Sequence, residues 1–197
     1  MAWSLGFRNL IIPGPVLPLT GMPFDHARNA ACRHALDLGL DWIFFLDSDV
    51  VPPRDAVLRL LAHRQPIVSG VYRRRSPPVA VPVMLRGGRW ITDLPHNQLV
   101  DVELVGAGCL LIHRSVLEKF LANPGRPGKP WFDWRVDLQG LLPQGECLSE
   151  DFTFNLRARQ EFGYRILVDT SIKCRHIGLG EADGDGNWKP CEALAIT

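Results

Sequence analysis

Two aspartates, one residue apart, follow an apolar run in this sequence. Trp42 to Leu46 are five mostly large apolar residues, Asp47-Ser48-Asp49 comes directly after them, and Pro52-Pro53 prevents the strand from continuing. Side chains at i and i+2 of an extended chain point to one side, so both carboxylates are predicted to face a common ligand while Ser48 faces away. Two negative charges this close favour a hard divalent cation, and the sequence therefore predicts a cation site at the end of a buried strand. A turn in which one aspartate caps the next helix is the alternative.

Further along the chain, an acidic pair and a late histidine are candidates for chemistry. Glu150 and Asp151 follow Ser149, where one of them can serve as a general base or simply favour the positive end of a helix dipole. His176 follows the last predicted strand and is either a metal ligand or an ordinary hydrogen-bonded histidine. Both interpretations stay open for each residue.

A basic run and an aromatic cluster are the other notable features. Arg73-Arg74-Arg75 follows a predicted strand and is either a solvated charge cluster or a clamp for phosphates or an anionic acceptor such as nucleic acid. Trp131 and Trp134 follow a loop rich in proline and glycine. Their rings suit stacking on an acceptor sugar or base, although large aromatic residues also commonly fill a core.

The order of these motifs resembles that of the GT-A glycosyltransferases, in particular the small bacterial and phage-type members. The resemblance runs from about residue 25 to 176 and rests on Arg28-Asn29, Asp47-Ser48-Asp49, Gly70-Val71-Tyr72 with the arginines after it, Gly106-Ala107-Gly108, Glu150-Asp151 and Arg175-His176. It implies transfer of a sugar from a nucleotide-diphospho-sugar, such as a UDP- or GDP-sugar, to an acceptor hydroxyl, with inversion. The acceptor would be a glycan, a small molecule or a modified nucleic acid such as DNA.

The resemblance also implies roles for individual residues. Mn²⁺ or Mg²⁺ would be held by Asp47, Asp49 and His176, and imidazole suits Mn²⁺ better. Asp151 would be the general base, with Glu150 as the second candidate. The donor would contact a larger set of residues: Asp25, Arg28, Asn29, Asp47, Ser48, Arg73, Gly106 and Gly108.

Two other classes of protein compete with this interpretation. Haloacid-dehalogenase-like phosphatases also place D-x-D after an apolar strand, but that motif usually lies near the N-terminus and requires a lysine after a later strand. Lys119, Lys129 and Lys173 do not follow a matching strand. A sugar- or nucleotide-binding module without catalysis is the third class, and it would bind the donor without turnover.

Length and composition limit the number of domains, the classes of binding partner and the cellular location. The 197 residues suffice for one domain, and we expect residues 1–197 to form a single GT-A-like domain with about 177–197 as a flexible tail or lid. The net charge of +1 gives no global argument for nucleic acid or membrane binding. Five cysteines without a C-x-x-C pair favour a reducing, cytoplasmic location. Prolines 13, 15 and 18 interrupt the apolar N-terminal segment, so no membrane span is expected.

The elements that must position these residues alternate between strand and helix. Strands are predicted at Leu10–Ile12, 42–46, 67–72, 104–112 and 165–169, and helices at 25–38, 54–64, 115–121 and 149–162. Short hairpin-like strands lie between 81 and 103. This order predicts an α/β, Rossmann-like fold with a mainly parallel central sheet, helices on both faces and a small antiparallel portion.

Overall fold

The computed structural model describes residues 7, 9–74, 82–136, 147–178, 180–185 and 187–190. The helices of these residues are α1 (Phe24–Asp37), α2 (Ala56–Ala62), α3 (Arg114–Ala122) and α4 (Glu150–Gln160). The strands are β1 (Trp42–Leu46), β2 (Val50–Val51), β3 (Ile67–Val71), β4 (Met84–Arg86), β5 (Arg89–Trp90), β6 (Leu99–Val102), β7 (Leu104–Val105), β8 (Cys109–His113), β9 (Arg135–Val136), β10 (Cys147–Leu148), β11 (Ile166–Lys173), β12 (Arg175–Ile177), β13 (Gly180–Ala182) and β14 (Trp188–Pro190).

A five-stranded sheet with the order β1-β8-β3-β11-β6 forms the centre of the fold. The β3–β11 pair is parallel, whereas β8 runs antiparallel to both β1 and β3, and β6 runs antiparallel to β11. The prediction of a mainly parallel sheet was therefore wrong. A strand covered on both faces is a continuous apolar run in either direction, so the sequence pattern did not encode the direction of β8.

Helices cover both faces of this sheet, as predicted. One apolar cluster joins alternate strand residues to Cys32 of α1, Phe120 of α3 and Phe154 of α4. A second cluster joins the intervening strand residues to Ala56 and Leu60 of α2. Successive side chains of a strand point to opposite faces, so the sheet separates a three-helix layer from a one-helix layer. The mixed α/β class is confirmed.

Three smaller sheets accompany the central one among the described residues, and the smallest is the pair β10-β9. The hairpin of β4 and β5 turns at Gly87 and Gly88, which both have positive φ, and it pairs with β7. In the third sheet, with the order β14-β13-β12-β2, the chain beyond residue 177 contributes β13 and β14. This part of the predicted tail therefore has regular structure, whereas residues 179, 186 and 191–197 lie outside the described residues.

Several local predictions were also tested. Helix α1 ends before Gly39, whose φ of 69° is typical of a glycine that terminates a helix. Residues 10–12 are irregular rather than a strand, and Ile11 N–H donates to the Arg54 carbonyl. The N-cap of α3 is His113, whose side chain accepts from Ser115 N–H, while Glu118 pairs with Arg114.

None of the helices among the described residues combines the length and the apolar character that crossing a membrane would require.

Candidate functional site

The strand directions bring four sequence motifs to one edge of the central sheet. Since β8 is antiparallel to β1 and β3, and β11 is parallel to β3, the carboxyl ends of β1, β3 and β11 lie at the edge where β8 begins. The segments at that edge are Asp47–Asp49, Tyr72–Arg74, Gly106–Gly108 and Cys174–His176. The sheet topology therefore assembles motifs that are more than one hundred residues apart in the sequence.

The two aspartates lie in a tight turn, not on an extended strand. Val50 N–H donates to the Asp47 carbonyl at 3.1 Å, and β2 starts immediately afterwards. The geometric premise of the sequence prediction was thus wrong, although both aspartates still line one cleft. A turn followed directly by a strand fixes the backbone on both sides of Asp49.

Pairing between β2 and β12 brings His176 to the aspartates. His176 lies opposite Val50, and Ile177 N–H donates to the Asp49 carbonyl at 2.8 Å. As a result, His176 Nε2 is 3.5 Å from Asp49 Oδ2. Because Arg73 O is only an acceptor, Nδ1 must carry the proton in its 2.5 Å contact with that carbonyl. In a neutral imidazole the lone pair is then on Nε2, the ring nitrogen nearer to Asp49.

A buried arginine stands behind the first aspartate. Arg28 of α1 donates from Nη2 to Asp47 Oδ1 at 3.1 Å, from Nε to Glu150 Oε1 at 3.0 Å and from Nη1 to the Ala107 carbonyl at 3.2 Å. Its guanidinium also lies 5.5 Å from the centroid of the Phe45 ring. We call Arg28, Asp47 and Glu150 the cleft cluster.

The carboxyl groups of the cleft cluster are destabilised in their ionised form. Burial raises the pKa of Asp47, repulsion from Asp151 and Asp49 adds to this, and attraction to Arg28 opposes it. Burial and repulsion from Asp151 likewise raise the pKa of Glu150. The Arg28 guanidinium thus interacts with three carboxylates, those of Asp47, Glu150 and Asp151.

Asp151 is half-buried at the start of α4. Its Oδ2 accepts from Ala107 N–H at 3.1 Å, and its Oδ1 accepts from Phe152 N–H at 2.8 Å and from the Ser149 hydroxyl. The Ser149 hydroxyl therefore helps to orient this carboxylate. Although Ser149 is the N-cap of α4, its side chain does not bond to a backbone N–H of the helix. Glu150, by contrast, is 4 % exposed and faces Arg28.

Gly106 and Gly108 make room for a tyrosine. A Cβ at Gly106 would lie 1.9 Å from the Tyr72 hydroxyl oxygen, and one at Gly108 would lie 2.9 Å from Tyr72 Cζ. The Tyr72 hydroxyl accepts from Gly108 N–H at 3.1 Å, and burial raises the pKa of this phenol. The space beside the two glycines is thus occupied by a side chain of the protein itself.

A cleft of about 530 Å³ opens at this edge, within the range of small-molecule sites. Predicted residues in its lining are Asp47, Ser48, Asp49 and His176. Four further residues line the cleft: Phe24, Tyr72, Arg74 and Val83. Tyr72 and Arg74 belong to segments that the sequence singled out, but nothing local distinguishes Arg74 from its neighbours; Arg75 lies outside the described residues.

Arg73, which was predicted to contact the donor, does not line the cleft. Its carbonyl accepts from His176, and its guanidinium Nε donates to the Gly184 carbonyl at 3.2 Å. Burial lowers the pKa of the Arg73 guanidinium. In this structure Arg73 connects the histidine to the turn between β13 and β14.

Asp25 and Asn29, also predicted as donor contacts, are buried and bonded within the chain. Asp25 forms an ion pair with Lys129, and the hydrogen bonds of its carboxylate outweigh the effect of burial and lower its pKa. Asn29 donates to the Phe132 carbonyl at 2.7 Å and accepts from Trp131 N–H at 3.1 Å. Both residues hold the segment 129–132 against α1.

The two tryptophans proposed for the acceptor differ in location. Trp131 is 1 % exposed, and its indole N–H donates to the Leu117 carbonyl at 2.9 Å, so its ring belongs to the core. Trp134 is 46 % exposed. The structure thus presents only Trp134 of this pair at the surface.

Comparisons with known proteins give a fold but no family. No family model matches the chain, and no curated protein matches it. Among solved structures, A197 from STIV is similar, with a TM-score of 0.61 and 19 % sequence identity over 92 % of this chain and 83 % of that chain. At this identity the likeness shows that the two chains share a fold.

Proposed function

We propose that this chain is a metal-dependent glycosyltransferase that moves a sugar from a UDP- or GDP-sugar to an acceptor hydroxyl, with inversion. The observation that carries the proposal is the arrangement of His176 and Asp49 in the cleft. The Nδ1 atom of the imidazole is bound to a carbonyl, and its Nε2 atom lies 3.5 Å from a carboxylate oxygen. A histidine fixed through one nitrogen presents the other one as metal ligands do.

The residues present fit a divalent cation. Asp49 Oδ2 and His176 Nε2 lie 3.5 Å apart, so both atoms would be within reach of one divalent cation. Asp49 and His176 would hold the ion directly. Asp47 would bind it either through Oδ2, since Arg28 bonds to Oδ1, or through a water molecule. Among the described residues no set of three or more His, Cys, Asp or Glu side chains is arranged as a complete ion site, so substrate oxygens and water would supply further ligands.

Mn²⁺ or Mg²⁺ bound there would supply the positive charge that stabilises a departing nucleoside diphosphate. The carboxyl groups around Arg28 favour such an ion, because burial raises the pKa values of Asp47 and Glu150 and a nearby cation would stabilise their ionised form. Arg28 holds both carboxylates in place through its two hydrogen bonds. The polar groups are thus oriented before any ligand arrives.

Asp151 is the side chain that we assign as the general base. Three hydrogen bonds orient its carboxylate, and its contact with Ala107 N–H places it beside the segment 106–108. There it would take the proton of the acceptor hydroxyl as that oxygen forms the new bond to the sugar. Glu150 is the weaker candidate, because it is buried and bonded to Arg28.

Thermal unfolding with Mn²⁺ and a panel of UDP- and GDP-sugars tests donor binding. A ligand at one hundred times its dissociation constant stabilises the folded protein by about 2.7 kcal/mol. We expect stabilisation that requires both metal and nucleotide-sugar, and we expect Asp49→Ala and His176→Ala to abolish it. Asp37→Ala and His96→Ala are matched controls, since both side chains are exposed and lie outside the cleft lining. Metal-independent binding that survives in Asp49→Ala would contradict the proposal.

Release of the nucleoside diphosphate from a bound donor tests catalysis. We expect Asp151→Asn to bind donor and metal as the wild type does while release falls by about two to four orders of magnitude. Release of inorganic phosphate from a generic aryl phosphate, lost in Asp47→Asn, would instead favour a phosphatase. Donor binding without any turnover in the wild type would favour a binding module.

A further inference from the structure

An arginine and a tryptophan form a stacked pair at the cleft. Arg74 follows β3, lines the cleft together with Asp47 and Asp49, and is exposed. Its guanidinium carbon lies 4.3 Å from the centroid of the Trp90 ring. The cleft thus carries carboxylates and a permanently charged guanidinium in one lining.

Contact with the Trp90 ring holds this guanidinium at the cleft. A planar cation whose face lies over a ring keeps its N–H groups at the edge, where they suit two oxygens of a carboxylate or phosphate. Among the residues that the structure describes, no carboxylate forms an ion pair with Arg74. Holding the side chain on Trp90 also reduces the rotamer freedom that ligand binding would remove.

The position of Trp90 relates Arg74 to the predicted base. Trp90 is on β5, and its ring centroid is 6.0 Å from that of Phe152, the residue after Asp151. Arg74 is therefore held on the side of the cleft that leads to the start of α4. The turn of Asp47 and Asp49 leads into β2, and His176 lies on β12; both strands belong to the sheet β14-β13-β12-β2.

We propose that Arg74, held on Trp90, is a binding residue for an oxyanion of the substrate. Two sources offer this chemistry: the diphosphate of the donor, and a carboxylate or phosphate on the sugar or acceptor. The choice between these two sources rests on the proposed function. Binding of an anion by Arg74 does not rest on it. Asp47 and Asp49 repel anions when no metal is bound, so an anion that enters the metal-free cleft must be held by a cation of the chain.

Titration of the metal-free protein in EDTA tests the site without nucleotide. The probes are pyrophosphate, methyl glucuronide and the neutral methyl glucoside, and the signals are the Trp90 indole N–H and the Arg74 Nε–H in NMR spectra. We expect saturable shifts with the anionic probes and none with the glucoside. Arg74→Gln should weaken binding about tenfold or more, because it removes a charged donor.

The matched control is Arg33→Gln, which removes an exposed arginine stacked 5.1 Å from the centroid of Trp131, outside the cleft lining. It should bind both probes as the wild type does, and Trp90→Leu should weaken binding by releasing Arg74. Tighter binding of pyrophosphate assigns the anion to the donor diphosphate, and tighter binding of methyl glucuronide assigns it to an acidic sugar. Absence of saturable shifts in the wild type, or unchanged shifts in Arg74→Gln, would overturn the proposal whatever the outcome with metal and nucleotide-sugars.

Discussion

Two clusters of this molecule that contain acidic side chains differ in how their surroundings affect ionisation. The cleft cluster places Asp47 and Glu150 around Arg28 at the edge of the sheet where β8 begins. On β11, Asp169 accepts from Ser171 N–H at 2.8 Å and from the Ser171 hydroxyl, and its other oxygen lies 2.8 Å from His63 Nε2. We call Asp169, Ser171 and His63 the α2 cluster, because His63 caps the carboxyl end of α2.

The pKa values of the two groups move in opposite directions. Burial opposes ionisation of Asp169, but hydrogen bonds from Ser171 and His63 outweigh it and lower the pKa of this carboxyl. In the cleft cluster burial and neighbouring carboxylates prevail over Arg28, and the pKa values of Asp47 and Glu150 are raised. The α2 cluster therefore stabilises the fold, whereas the cleft cluster keeps charge that a bound cation would stabilise.

The largest effect is expected when the cation of the cleft cluster is removed. Arg28→Met leaves the buried Glu150 and the half-buried Asp47 without their partner, and we expect it to lower the free energy of unfolding by about 3–5 kcal/mol. Urea denaturation at pH 7 measures this loss. Arg33→Met, on the exposed face of the same helix, should lose less than about 1 kcal/mol. Equal losses in the two variants would remove the distinction between the cleft cluster and surface charge.

A second test concerns the packing beside the cleft cluster. Gly106→Ala places a methyl group 1.9 Å from the Tyr72 hydroxyl oxygen, so we expect a loss of about 1–3 kcal/mol. Thermal and urea unfolding measure it, and Tyr72→Phe in the same chain should restore part of the loss. Gly14→Ala is the control, because no atom lies within 4 Å of its added Cβ. A loss that Tyr72→Phe leaves unchanged would show that Tyr72 is not the obstacle.

The α2 cluster should lose stability when its carboxylate is neutralised. Asp169→Asn replaces an acceptor of charged hydrogen bonds, and we expect a loss of about 1–3 kcal/mol at pH 7 in urea denaturation. The pKa of Asp169 is lower in the folded state than its ordinary value of 3.8. Its contribution to stability is therefore fully present above pH 3.8 and disappears as the pH falls through the lower, folded-state pKa. The exposed Asp93→Asn serves as control. A loss that is constant across this acidic range would contradict the assigned origin.

Neutralising Asp47 should give the smallest effect, and one of opposite sign. Asp47→Asn is expected to raise the stability of the metal-free protein at pH 7 by about 0.5–2 kcal/mol, as at other functional sites that retain unfavourable charge. The pKa of Asp47 is higher in the folded state than its ordinary value of 3.8, so Asp47 destabilises the fold only after it ionises. The wild type therefore regains stability as the pH falls through the folded-state pKa towards 3.8, and the advantage of Asp47→Asn should shrink on acidification. Urea denaturation between pH 3 and pH 7 checks both the sign and its pH dependence. Destabilisation at pH 7 would place Asp47 in the same class as Asp169.

Much of the secondary structure was predictable from local pattern. The apolar run 42–46, the glycine after α1 and the acidic start of α4 predicted β1, the end of α1 and α4 to within a few residues. The split of 104–112 into β7 and β8 was missed, because an apolar run does not reveal where hydrogen bonding is interrupted. The prediction of a strand at residues 10–12 was wrong for a related reason: a short apolar segment forms a strand only where a partner strand is available.

The candidate site divides in the same way. The turn Asp47–Asp49 and His176 line one cleft, as the motifs indicated. Asp25 and Asn29 were chosen for polarity, yet they hold the segment 129–132, because a buried helix face must satisfy its polar groups with nearby backbone. Arg73 and Arg74 have identical local chemistry, and only the packing of the hairpin β4–β5 and of the turn between β13 and β14 separates their roles.

The sequence by itself determined the type of most elements and the presence of two acids where an apolar strand stops, because apolar periodicity and turn residues act over a few positions. Tertiary structure decided the direction of β8, the partner of His176 and the surroundings of Arg28. These depend on hydrogen bonds and charge interactions between residues far apart in the chain, whose energies no local pattern encodes.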